Sequence, residues 1–320
     1  MSVVLAAGAT PAGVGAPTVA LPLIGKSALR VGFGTAGLLR ISSARERHNN
    51  LAAAFASGIT HFDTAPLYGF GESERALGRF VQRHRSQVTL TTKFGLQPSA
   101  LAARLVVLQG LARRAIRLLP ALRRTAVRNS GALTAPPLFS RAAASNSLEK
   151  SLRALRTDYV DFFLAHQACV AALPDEELMG WLEDARRAGK ILAFGVATDF
   201  EWLLPVLQQR PALARVVQFD SDPSKGRQVP AIGAEQVLIT FGFVGRAIAA
   251  CREHLRSFDR VGDDELGGLL LRAAVLSNPD GIVLMQSRSI RRIEGNVRAA
   301  TGAHDDERVR ELLQQLGSRP

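Results

Sequence analysis

The chain has 320 residues, of which 47% are hydrophobic and 21% are charged. This length is normal for a single α/β barrel, and the apolar content is sufficient for a buried core. No apolar run approaches the roughly 20 residues that span a bilayer, and the two cysteines, Cys169 and Cys251, offer neither a disulfide framework nor metal-ligand spacing. These properties argue against an integral membrane protein, a disulfide scaffold and a metal site.

The positive charge of the chain is concentrated in one segment. The formal net charge is +12, and residues 96–148 contain eight arginines and no Asp or Glu. A basic balance favours contact with polyanions or anionic membranes but does not determine the fold.

The N-terminal segment is small, apolar and interrupted by Pro and Gly as far as Pro22. It lacks the basic n-region of a signal peptide. We therefore expect residues 1–25 to form a flexible leader and the protein to be cytoplasmic.

Eight short apolar runs follow in the order typical of a parallel sheet with helical crossovers. They predict strands at Leu29–Phe33, Ile59–Phe62, Val88–Thr92, Tyr159–Ala165, Ile191–Val196, Val216–Phe219, Val237–Phe241 and Ile282–Met285.

Helical segments separate these strands. They are predicted at Ala44–Ser57, Glu72–His84, Ser147–Leu155, Asp175–Ala188, Glu201–Gln209, Asp264–Ser277 and Ile290–Ala300. Ser147 and Asp175 are of the residue types that cap helix N-termini. Eight strands with this alternation predict one closed (β/α)8 TIM barrel over residues 1–320, with a long helical insertion after the third strand.

Four residues with complementary proton chemistry fall at or just beyond predicted strand ends. Asp63 follows the second strand, Tyr68 lies in the next turn, Lys93 follows the third strand and His166 follows the fourth. In a (β/α)8 barrel these ends meet at the catalytic face. An ammonium beside a tyrosine favours the tyrosinate, so we expect Lys93 to lower the pKa of Tyr68. Such a group suits proton transfer to a carbonyl oxygen.

These residues and their surroundings resemble the aldo/keto reductase superfamily. Asp63, Tyr68, Lys93 and His166 match the family's tetrad in type and order, and the segment from Arg156 to His166 is similar to its fourth strand. The segment Phe-Asp-Thr-Ala-Pro-Leu-Tyr-Gly also resembles the corresponding segment of the branch that oxidises sugar lactols or pyridoxal-type alcohols.

The resemblance implies a NAD(P)(H)-dependent oxidoreductase that acts on an aldehyde, a ketone or a sugar-type alcohol, with Tyr68 as general acid or base. The alternative is a catalytically weak, cofactor-binding regulatory or interaction protein on the same barrel. No nucleic-acid partner is expected, and a monomer is the default oligomeric state.

A cofactor segment is implied after the eighth strand, where a helix begins among hydroxyl and guanidinium groups. Ser287, Arg292 and Asn296 match the family's pyrophosphate and adenosine pattern, whereas Gln286 replaces a frequent lysine. Arg288 is a further candidate contact for a 2′-phosphate. NADPH is therefore the first choice of cofactor, and the missing lysine keeps NAD open.

Other cofactor contacts are implied at strand ends. Gln218 looks like the glutamine that meets the nicotinamide amide, and Phe241 stands where the family often has a stacking tyrosine. Thr198 or Asp199 is expected to supply a polar contact after the fifth strand. Thr35, after the first strand, is another candidate near the ring.

The basic insertion spans residues 96–146 and emerges at the predicted catalytic face. Pro120 is expected to divide it into two helices. The first interpretation is that its apolar face packs on the barrel while its arginines are solvated. Because the insertion follows Lys93, we also expect it to act as a lid that shapes the substrate pocket. The alternative is peripheral membrane contact through residues 100–130.

Overall fold

The computed structural model describes residues 18–96, 137–221, 235–254, 261–302 and 306–317. Within these ranges no helix is long and apolar enough to cross a membrane. The same residues contain no group of three or more His, Cys, Asp or Glu side chains arranged to hold a metal ion.

Eight parallel strands close into a barrel, as the sequence predicts. They are β3 (Val31–Gly34), β4 (His61–Asp63), β5 (Thr89–Phe94), β6 (Val160–His166), β7 (Ile191–Thr198), β8 (Val216–Asp220), β9 (Val237–Phe241) and β10 (Gly281–Met285). Each strand pairs with its neighbour in sequence, and β10 pairs with β3 to close the ring. The (β/α)8 fold is confirmed.

A hairpin precedes the barrel. Strands β1 (Thr18–Leu21) and β2 (Lys26–Leu29) pair antiparallel, and Arg30 alone joins β2 to the N-terminal end of β3. The buried hairpin side chains belong to one apolar cluster with barrel side chains such as Phe162 and Ile239. The hairpin therefore closes the end of the barrel opposite the C-terminal ends of its strands. Residues 18–25 are thus ordered, and the predicted leader over residues 1–25 needs correction there.

Helices surround the strands. They are α1 (Ala44–Ala56), α2 (Glu72–Val81), α3 (Arg141–Leu155), α4 (Glu176–Arg187), α5 (Phe200–Gln209), α6 (Phe243–His254), α7 (Asp263–Ser277), α8 (Ile290–Thr301) and α9 (Asp306–Gly317). Their apolar faces and the outer faces of the strands form the larger core cluster. The hydrophobic effect thus acts in two layers, one inside the barrel and one around it.

Two helix starts test the expected caps. The Asp175 side chain accepts from the backbone N–H of Leu178 at 2.8 Å, which confirms it as the N-cap of α4. The prediction for Ser147 is wrong, because α3 begins six residues earlier and Ser140 accepts from the N–H of Ala143. The alanine-rich start of α3 explains the extension, since alanine has the highest helix propensity.

Most of the predicted basic insertion lies outside the described residues. Of residues 96–146, the structure describes Leu96 and residues 137–146. The predicted division at Pro120, the lid and the membrane contact through residues 100–130 fall on the part that is not described. Helices α6 and α9, in contrast, are additional to the helices that the sequence predicted.

Candidate active site

A buried ion pair forms the centre of the site. Lys93 Nζ donates to both carboxylate oxygens of Asp63 at 2.7 Å and to the carbonyl oxygen of Thr64 at 2.9 Å. Its fourth neighbour is the hydroxyl oxygen of Tyr68 at 3.5 Å. Asp63 and Lys93 are only 3% and 1% exposed. The amine is therefore held between a carboxylate and a phenol, in surroundings where charge interactions are strong.

Neighbouring strands create this arrangement. Asp63 ends β4 and Lys93 lies near the end of β5, and these two strands are paired in parallel. Parallel strands bring their carboxyl ends to the same edge of the barrel. The ion pair is thus a direct consequence of the strand order.

A tight turn presents the phenol. The backbone N–H of Tyr68 donates to the carbonyl of Ala65 at 3.0 Å. The next three residues all have positive φ, with values of 57° at Gly69, 59° at Phe70 and 84° at Gly71. This conformation is ordinary for glycine but uncommon for phenylalanine. The turn after Tyr68 is therefore sharply specified by its backbone.

His166 ends β6 and faces the phenol. Its ring centroid lies 6.1 Å from that of Tyr68, and the two rings are nearly perpendicular at 85°. The structure therefore brings Asp63, Tyr68, Lys93 and His166 to one edge of the barrel, as the sequence predicts.

The pKa of Tyr68 differs in direction from the sequence-based expectation. Burial raises the pKa of Tyr68, and this effect outweighs the lowering by Lys93. The expected net decrease was wrong because the sequence shows the ammonium but not the desolvation. For Lys93, burial lowers the pKa, but Asp63 and Tyr68 together raise it above the usual value. At neutral pH the site therefore holds a protonated phenol and a charged amine.

The histidine at the site is neutral. Burial and, second, the charge of Lys93 lower the pKa of His166 from 6.5 to about 3. A neutral imidazole carries one N–H and one acceptor nitrogen. His166 can therefore orient a polar group through a hydrogen bond without adding a positive charge.

Gln218 adds a polar group to the same cluster. Its Nε2 donates to Asp63 Oδ2 at 2.9 Å, and its side chain is on β8 across the barrel. Its Oε1 is buried and has no hydrogen-bond partner among the described residues. An orphaned buried acceptor is costly unless a ligand satisfies it. Thr35 lies close by, because its hydroxyl donates to the carbonyl of Asp63 at 3.0 Å.

Three further residues of the predicted cofactor site lie at the rim of the barrel. The hydroxyl of Thr198 donates to the carbonyl of Ala168 at 2.6 Å and so supports the loop after β6. Asp199 is exposed immediately before α5, and Phe241 is half-buried at the end of β9. Their strand-end positions place them on the same edge of the barrel as Asp63 and Lys93.

The start of α8 forms a separate polar surface on the same edge. The Ser289 hydroxyl caps the helix by accepting from the N–H of Arg292 at 3.4 Å. Ser287 donates to the carbonyl of Ser289 at 3.3 Å. Backbone N–H groups and hydroxyls at a helix N-terminus suit an anion. Arg288 beside them is exposed.

Asp264 on α7 forms ion pairs with two arginines at the start of α8. Arg292 Nε lies 2.6 Å from Asp264 Oδ1, and Arg291 lies 3.4 Å from its other oxygen. Asn296 is half-buried on the side of α8 that faces Gly267 of α7. Asp264, the two arginines and Asn296 line a cavity of about 410 Å³. Arg292 is therefore positioned by a carboxylate, which the sequence did not reveal.

Two further contacts of the site escaped the sequence interpretation. The Thr64 carbonyl binds Lys93, and the Gln286 side chain accepts from the N–H of Gly37 at 2.9 Å. The first involves a backbone atom that carries no residue signal. The second joins the ends of the first and last barrel strands, and only their pairing could have indicated it.

The geometry defines the available chemistry. A protonated phenol, a neutral imidazole and a charged amine surround one point at the mouth of the barrel. Such a set can deliver a proton to a developing alkoxide and hold its oxygen in place.

Comparisons with known proteins identify the family of the chain. The model of the Aldo/keto reductase family matches residues 30–204. Aldo-keto reductase YhdN of Bacillus subtilis (strain 168) is 31% identical over 179 residues, which are 54% of this chain and 44% of that protein. D-threo-aldose 1-dehydrogenase of Pseudomonas sp is 41% identical over 78 residues, or 24% of this chain and 22% of that protein. The matches thus span less than half the length of these relatives.

Solved structures extend the likeness over nearly the whole fold. An aldo-keto reductase from Klebsiella pneumoniae in complex with NADPH superposes with a TM-score of 0.66 at 19% identity. The alignment covers 95% of this chain and 96% of that one. At this identity the likeness concerns the fold.

Proposed function

Because the chain belongs to the aldo/keto reductase family, we propose that it is a NAD(P)(H)-dependent oxidoreductase that interconverts a carbonyl compound and its alcohol. The observation that carries this proposal is the contact of Lys93 with both Asp63 and Tyr68 in a buried position. In this environment the carboxylate of Asp63 keeps the Lys93 amine charged, and the charged amine polarises the phenol of Tyr68.

Tyr68 is the proposed proton donor in the reduction direction. Its raised pKa keeps the phenol protonated at neutral pH. Lys93 stabilises the phenolate that forms when the proton leaves, and Asp63 keeps Lys93 charged and fixed. In the oxidation direction the same phenolate acts as the base.

His166 is proposed to orient the carbonyl oxygen. Its ring stands perpendicular to that of Tyr68, and in the neutral state it offers a single N–H. Both groups can then donate to one oxygen, so that the developing negative charge is stabilised from two sides.

A nicotinamide cofactor fits the residues present. The free acceptor of Gln218 suits the N–H₂ of a carboxamide, with Thr35, Thr198, Asp199 and Phe241 on the surrounding rim. The start of α8, with Ser287, Arg288, Arg292 and Asn296, suits the phosphates and the adenosine. When bound, this cofactor supplies or accepts the hydride. We propose NADP as the preferred form, which the NADPH complex of the Klebsiella pneumoniae structure supports.

The substrate class proposed is a small aldehyde, ketone or sugar-type alcohol. The name of the Pseudomonas relative, an aldose dehydrogenase, supports the sugar alternative. The mouth of the barrel is polar at its centre, which also suits a hydroxylated substrate.

Replacement of Tyr68 by Phe tests the proposal. We expect turnover to fall by at least about 10³-fold, in the range typical of a lost acid–base group, while NADPH binding measured by fluorescence quenching remains within a few-fold of wild type. The experiment uses a panel of aldehydes, ketones and sugars. Unchanged turnover in the Tyr68→Phe variant would remove Tyr68 from its proposed role.

The same panel separates the alternative function. A regulatory, cofactor-binding protein would show at most slow single-turnover reduction in the wild type. Sustained turnover on any member of the panel would exclude that function.

A further inference from the structure

A second cavity lies outside the barrel, between α2 and α3. Its volume is about 690 Å³, which is in the range of small-molecule sites. One wall comes from the turn that carries Tyr68, through Pro66, Phe70 and Gly71. The proposed function leaves this cavity without a role.

Five basic side chains contribute to the lining of this cavity. They are Arg75 and Arg79 of α2, Lys150 and Arg153 of α3, and Arg156 at the C-terminal end of α3. In the described part of the chain Arg79 and Lys150 have no ion-pair partner, and Arg156 binds the amide oxygen of Gln82.

The acidic groups nearby compensate this charge only weakly. Glu72 pairs with Arg75, and Glu149 lies 3.9 Å from Arg153, but all four side chains are more than 40% exposed. Exposed ion pairs of this kind contribute little to stability, so a bound anion can replace them at low cost. The five basic side chains outnumber these carboxylates, so the region of the cavity carries a net positive charge.

A buried carboxyl group also lines the cavity. Glu74 is 2% exposed and accepts from the Thr92 hydroxyl at 2.7 Å. Burial raises the pKa of Glu74 above its usual range. A carboxyl that takes up a proton becomes a hydrogen-bond donor, which an anionic ligand can use.

The cavity also touches both catalytic elements. Phe70, with its φ of 59°, lies two residues after Tyr68. Thr92, which binds Glu74, precedes Lys93 on β5. A ligand in the cavity would therefore contact the turn of Tyr68 from behind and would reach β5 through one hydrogen bond.

We propose that the cleft between α2 and α3 binds a small organic polyanion, of the phosphate-ester or polycarboxylate class, and that its occupancy changes turnover at Tyr68. Cations on two facing helices supply the attraction. The turn from Pro66 to Gly71 transmits occupancy to the phenol. The second half of this proposal rests on the proposed function, whereas the binding itself does not.

Titration calorimetry with inorganic pyrophosphate tests the binding. The first variant, Arg79→Glu with Lys150→Glu, should weaken binding at least about 10-fold, since two attractive charges become repulsive. The neutral variant Arg79→Gln with Lys150→Gln should weaken it less. The matched control is Arg186→Glu with Arg187→Glu on α4, which changes the net charge equally; it should bind within about twofold of wild type.

A third variant distinguishes this cleft from the proposed cofactor surface. Arg292→Ala should leave pyrophosphate binding at the cleft unchanged. If the double variant on α2 and α3 and the control variant on α4 weaken pyrophosphate binding equally, the attraction depends only on the net charge of the protein, and the proposal is overturned. Loss of binding in Arg292→Ala alone, or no binding by the wild type, would overturn it as well.

Turnover provides the second readout. Pyrophosphate should change kcat of the wild type at saturating NADPH and should not change that of the Arg79→Glu, Lys150→Glu variant. Binding without any effect on kcat would overturn the regulatory half. If the wild type shows no turnover at all, the proposed function fails while the calorimetric result still decides the binding site.

Discussion

At the scale of single residues, the site is governed by competition between burial and charge. Tyr68 and Lys93 are both buried, and each perturbs the other. Desolvation raises the pKa of the phenol more than the ammonium lowers it. The acid form is therefore the resting form of Tyr68, which suits the direction of carbonyl reduction.

The pH dependence of reduction follows from these shifts. A raised pKa keeps Tyr68 protonated above its usual value of 10.0, and a pKa of about 3 keeps His166 neutral. Neither group changes its protonation between pH 6 and 9. We expect the single-turnover rate of reduction with NADPH to vary less than about twofold over this range. A decline that follows one group with an apparent pKa below 9 would contradict this assignment.

At the scale of elements, α2 and α3 pack with their backbones almost in contact. A Cβ atom placed on Gly78 of α2 would lie 2.2 Å from the carbonyl oxygen of Ala154. The nearest neighbours are backbone atoms, which cannot move aside as a side-chain tip can. The close packing fixes α3 beside α2 and thereby holds both sides of the basic cleft.

Two glycine substitutions test this packing as a matched pair. Gly78→Ala should lower the free energy of unfolding by roughly 2–4 kcal/mol, because the added methyl group overpacks the interface. Gly180→Ala on α4, where a Cβ would meet nothing within 4 Å, should raise it by about 0.5–1 kcal/mol through helix propensity. Urea unfolding measures both. Similar effects of the same sign would disprove the close approach.

The elements also show what sequence could and could not predict. Continuous apolar strands that end in Asp63 or His166 were enough for the barrel and its catalytic edge. The hairpin of β1 and β2 was missed because Val19 and Leu21 alternate with exposed residues in a segment that is otherwise small and apolar. Burial of the phenol and the pairing of Arg292 with Asp264 are tertiary effects, so no local pattern could indicate them.

At the scale of the whole molecule, two buried histidines link folding to pH. His61 is fully buried, and desolvation lowers its pKa from 6.5 to about 4; His166 has a similar shift. Between pH 6.5 and 4 the histidines of the unfolded chain bind protons, whereas those of the folded chain stay neutral. Their contribution to the free energy of unfolding is therefore fully present above pH 6.5 and is lost as the pH falls toward the folded pKa values.

Urea unfolding at pH 7 and pH 5 measures this linkage. We expect the free energy of unfolding to fall by roughly 4 kcal/mol, since each of the two histidines contributes up to about 1.4 kcal/mol per pH unit below 6.5. His61→Gln should reduce this pH dependence by about half. His48→Gln is the control, because His48 is exposed, and it should leave the dependence unchanged. An unaltered slope in His61→Gln would contradict the role of His61.

The closure of the ring by β3 and β10 has a consequence for how the protein is made. Their paired residues are roughly 250 positions apart in sequence, a separation that delays ring closure in folding. The four residues of the site, from Asp63 to His166, all precede β7 in the chain, but the barrel that holds them is complete only when β10 has been added. We infer that catalytic competence arises only after translation of β10, so that nascent chains interrupted before Gly281 should be inactive although they carry the entire tetrad.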